Sequence, residues 1–422
     1  LSRLSAIVPK MNLNENDTTS SDDELPEDPI LGLVNHKNKY TVLVVGSGAR
    51  ENAIVNALAK SKFNVVIKSI GNYRNPGIAE YAESVIVTSH IDKITKYIQK
   101  LKPDLMIIGP VEYIDSGISD WARELGIPCF GPSSNFIRIM NRAYAKDLLV
   151  NHKLGEFNTR YHNFTYHDEI MMREFMESLN NRYVIKGSNY CNGSTIKTSL
   201  SDFKSTEEAL EYCQVLIEDE QHKGCIIEEL IDGNIFTTTS FVDGVSVYHM
   251  PIVQSFRRFE QDGVSHVTSG LGSISMEDHK LYFLTDDDIR VANNINNVVI
   301  CALQQDTEEP YTGIISCNLI KSTTGEIKVS EFNCTFSDPS AINILSIMDS
   351  DFMEVCIRTV ESSLKQFDIA CRHEATCVSY GIPIGYPHTK YKDREIIVDQ
   401  HDKNDILYGN VHSYEENDKK IL

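Results

Sequence analysis

Tyr40-Thr-Val-Leu-Val-Val45-Gly46-Ser47-Gly48-Ala49-Arg50-Glu51-Asn52 decides the fold class. Its first six residues are a short apolar run, and Ala53, Ile54, Ala57 and Leu58 recur afterwards at helical spacing, so the stretch reads as strand, glycine turn, helix. Such a turn lets the backbone approach an anion at the helix N-terminus, where unpaired N–H groups and the dipole favour negative charge. A plain tight turn between strand and helix carries the same letters, so this stretch fixes element order rather than a ligand. Outward to residue 138, strand and helix patterns alternate, with turns at Gly71-Asn72, Gly109-Pro110 and Gly131-Pro132. That alternation predicts a parallel sheet with helices on both faces.

A second stretch carries candidate chemistry. Lys328-Val329-Ser330-Glu331-Phe332-Asn333-Cys334-Thr335-Phe336-Ser337-Asp338-Pro339 alternates like a half-buried strand. Side chains at i and i+2 share a strand face, so Glu331 and Asn333 present oxygens side by side. A hard cation such as magnesium needs such ligands when it holds a nucleotide's phosphates. A surface pair on an edge strand has the same spacing, and Cys334 is expected on the opposite face.

Val42 to Asn52 resembles the opening of the phosphoribosylamine–glycine ligase family, Gly-x-Gly-Gly-Arg-Glu-His-Ala. Further matches follow in the family's order: Pro103-Asp104-Leu105, Ile108-Gly109-Pro110, Phe130-Gly131-Pro132, Ala143-Tyr144-Ala145-Lys146-Asp147, Val184-Ile185-Lys186, Ile227-Glu228-Glu229-Leu230, Tyr311-Thr312-Gly313 and Glu331-Phe332-Asn333-Cys334. The resemblance runs from about residue 40 to about residue 410. It implies an α/β architecture: a parallel-sheet N-terminal domain (39–138), a two-lobed ATP-grasp body (139–350, lid about 155–222) and a shortened C-terminal domain (351–422). It also implies an enzyme that joins phosphoribosylamine and glycine at the expense of ATP, through a glycyl phosphate, in purine synthesis. Under that resemblance Lys186, Glu228 and Glu229 would serve ATP. Magnesium would fall to Glu331 and Asn333, and the phosphoribosyl group to Gly46, Gly48, Arg50, Glu51 and Asp338.

Departures accompany the matches. The family's glycine-rich Lys-Ala-Asp-Gly-Leu-Ala-Ala-Gly-Lys-Gly is Lys186-Gly187-Ser188-Asn189-Tyr190-Cys191-Asn192-Gly193-Ser194-Thr195, with one lysine and two glycines gone. Where glycine serves to reach positive φ beside phosphate, Asn189 and β-branched Thr195 should hinder the approach. Glu-x-Ser-Lys becomes Ile139-Met140-Asn141-Arg142, a ligand glutamate aligns with Ile235, and His is replaced by Asn52. Val111, Thr335 and Ser340 stand where the family has Glu, Arg and Glu. Thinning of polar residues on a retained scaffold is expected of a degenerate relative, a structural or binding subunit with weak or absent ATP and magnesium binding. The alternative is an active ligase with a rebuilt pocket.

Composition sets outer bounds. A chain of 422 residues, 41% hydrophobic, can bury cores in several domains. No apolar run approaches the ~18 residues of a membrane span. The formal charge of −20 disfavours nucleic acid and leaves protein partners in a larger assembly as the expectation. Ten dispersed cysteines show no zinc spacing and are expected to be reduced, in the cytoplasm or a mitochondrial matrix. Residues 1–38, acidic between Asn12 and Asp28, are expected to form a flexible tail that contacts partners. The Leu1 start fits an incomplete sequence as well as removal of a presequence, and the sequence does not decide between them; the end at Ile421-Leu422 is expected to cut the last domain short.

Overall fold

The computed structural model describes residues 37–189, 195–261, 264–386, 394–398, 406–416 and 419–421. The expected tail at 1–38 lies almost wholly outside the described residues.

Five parallel strands, β1 (Tyr40–Val45), β2 (Val65–Gly71), β3 (Ser84–Val87), β4 (Leu105–Ile108) and β5 (Cys129–Phe130), form a sheet in the order β3-β2-β1-β4-β5. The unbroken apolar run Val42–Val45 in β1 has a direct cause: both faces of this part of the strand are covered. Val42 and Val44 pack with Ile107 onto Ile54, Val55 and Leu58, and Leu43 and Val45 pack with Met106 and Ile108 onto Ile94, Ile98 and Ile114. The strand order reverses beside β1, so the Gly46–Gly48 turn opens at the point where β1 parts its neighbours β2 and β4. Crevices at such points receive ligands in open α/β sheets.

The lid is an antiparallel sheet of β6 (Tyr161–Phe164), β7 (Tyr183–Gly187), β8 (Lys197–Thr198) and β9 (Cys225–Glu229), ordered β6-β9-β7-β8. Helices 169–178 and 206–218 cover it around Met172, Met176, Leu210 and Ile227. The central strand β9 closes this sheet, so the lid extends past the expected boundary at 222.

The larger lobe holds β10 (Gly233–Asp243), β11 (Val247–His249), β12 (Gln254–Gln261), β13 (Val264–Ser275), β14 (Thr312–Ser322) and β15 (Ile327–Asn333). One sheet runs β11-β10-β14-β15, and β12-β13 continues to β16 (Thr376–Ser379). The long helix 286–307 starts at Thr285, whose hydroxyl accepts from the Asp288 N–H, and it buries Ile295, Val299 and Leu303 in this lobe. Phe352 and Met353 of the expected C-terminal domain share a core with the first sheet, and the Phe130 and Phe352 rings lie 6.0 Å apart. The helix 352–360 is thus built into the N-terminal core, while β16 extends the sheet of the larger lobe.

Candidate functional site

The two carboxylates singled out in the sequence, Glu228 and Glu331, are drawn into one ionic cluster at the junction of lid and body. β9 carries Glu228, and its neighbour β7 carries Lys186, two positions along in an antiparallel register that pairs Val184 with Glu228 and Lys186 with Ile226. The Lys186 ammonium contacts Glu228 Oε1, and Lys146 from the helix 142–151 reaches Glu228 Oε2 at 2.9 Å. Thr159 Oγ1 donates to the same oxygen at 2.9 Å and accepts from Lys146 Nζ at 2.8 Å. Burial raises the Glu228 pKa, but the two lysines outweigh it and hold the carboxyl down at about 2. Burial lowers the Lys186 pKa despite Glu228 beside it.

Glu331 lies next along the cleft, since Lys186 Nζ also reaches Ser330 Oγ at 3.4 Å. Glu331 Oε1 accepts from Arg257 Nη1 at 2.6 Å and from Asn318 Nδ2 at 3.0 Å, and Oε2 meets Arg142 Nη2 at 3.3 Å. Burial raises this carboxyl, and Arg257 and Arg142 more than reverse the effect, holding it well below the usual carboxylate range. A register irregularity between Asn318 and Leu319 locates a bulge near Ser330, ahead of Glu331. Beyond the bulge Glu331 and Asn333 alternate normally and share a face as expected. Cys334 turns into the core, its Sγ 3.4 Å from the Phe136 carbonyl.

One expected ATP residue is not in the cluster. Glu229 follows Glu228 on the strand and therefore faces the other way, where its Oε1 accepts from the Arg160 N–H at 2.7 Å. Asn189 does not take a left-handed φ. Residues 190–194 of the same loop lie outside the described residues.

The second group of candidates gathers at the end of β1. Glu51 is buried, and its carboxylate accepts from the Gly48 N–H and from Arg50 Nε, both at 2.6 Å. Gly46 has φ +123°, and a Cβ at either Gly46 or Gly109 would collide with the Glu51 side chain. Arg50 crosses to the loop after β15, donating to the Phe336 carbonyl at 2.9 Å and Thr335 Oγ1 at 3.4 Å. Asp338 accepts from the Tyr380 hydroxyl and feels the Arg50 charge. All five predicted residues thus fall in one neighbourhood, in which Gly46 and Gly48 shape the turn. Asn52 is buried here too, its Oδ1 accepting from the Tyr408 N–H at 2.9 Å.

Sequence reasoning missed Arg257, Asn318 and Thr159, and gave Lys146 no role although its motif was recognised. Arg257 stands in an Arg257-Arg258 pair whose members diverge: Arg257 turns to Glu331, and Arg258 reaches Thr198 of the lid at 3.2 Å.

Residues 40–139 match the N domain of phosphoribosylglycinamide synthetase, and residues 140–341 match its ATP-grasp (A) domain. The phosphoribosylamine–glycine ligase of Methanocaldococcus jannaschii is 31% identical over 366 residues, covering 85% of this chain and 81% of that protein. The chain belongs to the phosphoribosylamine–glycine ligase family.

The crystal structure of that ligase from Thermotoga maritima superposes with a TM-score of 0.70 at 20% identity, covering 90% of this chain and 89% of its own. The biotin carboxylase domain of Hydrogenobacter thermophilus 2-oxoglutarate carboxylase, a complex with magnesium ADP, gives 0.60 at 13% identity, covering 76% and 69%. These likenesses establish the ATP-grasp fold. The family is one of ATP-dependent carbon–nitrogen ligases that use ATP and magnesium.

The donor set of the cleft fits those groups. Four cations, Arg142, Lys146, Lys186 and Arg257, face two carboxylates, and the buried Nε atoms of Arg142 and Arg257 find no partner among the described residues. The surplus of positive charge suits a phosphate chain. No group of three or more His, Cys, Asp or Glu side chains among the described residues could cage a metal by itself. Glu331 and Asn333 would hold magnesium in the usual manner, as one or two protein ligands together with substrate phosphates, with the ion taking the place of a guanidinium on a Glu331 oxygen.

Proposed function

We propose that the protein is an ATP-dependent ligase that joins phosphoribosylamine to glycine. The observation that carries this reading is the convergence of four cations on two buried carboxylates between lid and body. Burying charged groups is costly, and an apolar replacement of similar volume is often at least as stable, so stability alone is a poor reason for so dense a cluster. An arriving triphosphate would meet more cations than carboxylates in the cleft.

Glycine's carboxylate is a poor electrophile until it takes a phosphoryl group; the amine then attacks the acyl phosphate and inorganic phosphate leaves. Lys186 and Lys146 are placed to hold the phosphate chain, and Glu228 to keep the two ammonium groups fixed in the cleft. When bound on Glu331 and Asn333, magnesium would supply further neutralisation of the phosphates. The lid, seated on the body through Arg142 and Arg258, would keep water from the activated carboxylate. Arg50, whose guanidinium reaches Thr335 Oγ1, brings positive charge to the position where the family's own arginine is absent.

A binding subunit without ligase activity is the second reading. It is favoured by Ile235, which lies on β10 opposite Ile320 and supplies no ligand where the family has glutamate. The curated relatives carry the ligase name, and they favour the first reading. Expression of the chain in a purine auxotroph lacking this ligase should restore growth without added purine. Failure to grow, with soluble protein present at the level of a rescuing family member, would favour the second reading.

A further inference from the structure

Two departures from the family pattern, far apart in the chain, meet in space. Arg142 is buried, and its Nη1 donates to the carbonyls of Gly187 at 2.7 Å and Asn189 at 3.0 Å. Its own N–H donates to the Ser188 carbonyl at 2.9 Å, and its Nη2 meets Glu331 Oε2 at 3.3 Å. Beside it Asn141 Nδ2 donates to Asn189 Oδ1 at 2.5 Å, while Asn189 Nδ2 donates to the Gln221 carbonyl at 2.7 Å. The segment Gly187–Asn189, where β7 leaves the lid sheet toward the cleft, is thereby tied to the body at several points.

We propose that Arg142 is a positioning residue: its guanidinium fork locks the Gly187–Asn189 segment to Glu331, so that the place of the lid segment and the orientation of that carboxylate are set together. The inference rests on reading the cleft as a nucleotide site. Its chemistry requires arginine. A guanidinium presents donors at fixed angles to several acceptors at once, whereas a lysine ammonium of equal charge is a compact point that cannot span two carbonyls and a carboxylate in this geometry. Asn141 completes the lock from the neighbouring position, and because its Oδ1 also accepts from the Tyr144 N–H it fixes the start of the helix that carries Arg142 and Lys146.

The test uses the full chain with two variants, Arg142→Lys and Asn141→Ser. The serine retains a helix-capping oxygen while removing the amide that reaches Asn189. Hydrogen exchange of the 187–189 amides is followed without nucleotide, with the β1 amides at 42–45 as internal reference, and magnesium ADP is titrated by calorimetry. Arg142→Lys should quicken exchange at 187–189 by about tenfold and raise the magnesium ADP dissociation constant by about tenfold, with β1 unchanged. Asn141→Ser should move both readouts in the same direction by a smaller factor.

A merely structural arginine would change β1 and the segment together and leave nucleotide affinity per folded molecule unaltered, and that result would overturn the proposal. So would unchanged exchange at 187–189 in both variants. If wild-type protein binds no magnesium ADP while the segment still loosens selectively in both variants, the lock stands and the nucleotide-site reading fails.

Discussion

Glu331→Ala is expected to destabilise the protein by about 4 kcal/mol and to abolish binding of magnesium ADP, because removing one member of a buried ion pair strands its partners. Two guanidiniums converge on this carboxylate, and both side chains are largely withdrawn from water. Without it Arg142 and Arg257 face each other and Lys186 across a low-dielectric gap. Urea unfolding followed by far-ultraviolet circular dichroism measures the first effect, and calorimetric titration of the folded variant the second. Glu331→Gln preserves the shape and keeps an oxygen for Arg257, so it should show a smaller loss of stability while still failing to hold the cation. Equal stability of the alanine variant and wild type would mean that the arginines are adequately solvated elsewhere.

Glu228→Gln should remove a pH dependence as well as stability. The Glu228 carboxyl is held at about 2 against an ordinary 4.5, against burial and by Lys146 and Lys186. A depressed carboxylate pKa contributes stability that is fully present above the ordinary value and is lost as pH falls through the folded-state value. A shift of this size corresponds to about 3 kcal/mol, present at pH 6 and progressively lost from pH 4.5 down towards 2. Unfolding free energies of wild type should therefore fall steeply in that interval, and the glutamine variant, already weakened at pH 6, should show a correspondingly flatter acid limb. Parallel wild-type and variant profiles would show that Glu228 does not carry this proton linkage.

The parallel sheet was legible in Tyr40–Val45 because a strand covered on both faces is apolar at successive positions, as Val42 to Val45 are, and here that run leads into a glycine turn and a helical repeat. Lys186, Glu228 and Glu331 were legible as motif residues, and alternation alone predicts that Glu331 and Asn333 share a face. Alternation also assigns Glu229 away from Glu228, which motif matching overlooked by taking both glutamates together. Arg257 was illegible for a physical reason: β12 has a register shift between Phe256 and Arg258, so the face that each arginine takes depends on pairing with β13 rather than on local spacing. The consequence of Asn189 was likewise set by tertiary contacts. Its side chain is held by Asn141 and the Gln221 carbonyl, which a list of missing glycines cannot reveal. The cations that make the cleft positive come from three separate elements, the helix 142–151, β7 and β12, and only folding brings them together.

The central claim is most directly tested by following ADP formation by the purified protein with magnesium ATP, glycine and phosphoribosylamine generated in the cuvette, omitting one substrate at a time. An active ligase predicts ADP release that requires both glycine and the amine, with glycinamide ribonucleotide formed in equal amount, and that is lost in Lys186→Ala. Absence of any glycine-dependent ADP release, in protein that binds magnesium ADP and melts cooperatively, would contradict the ligase assignment and leave a nucleotide-binding scaffold.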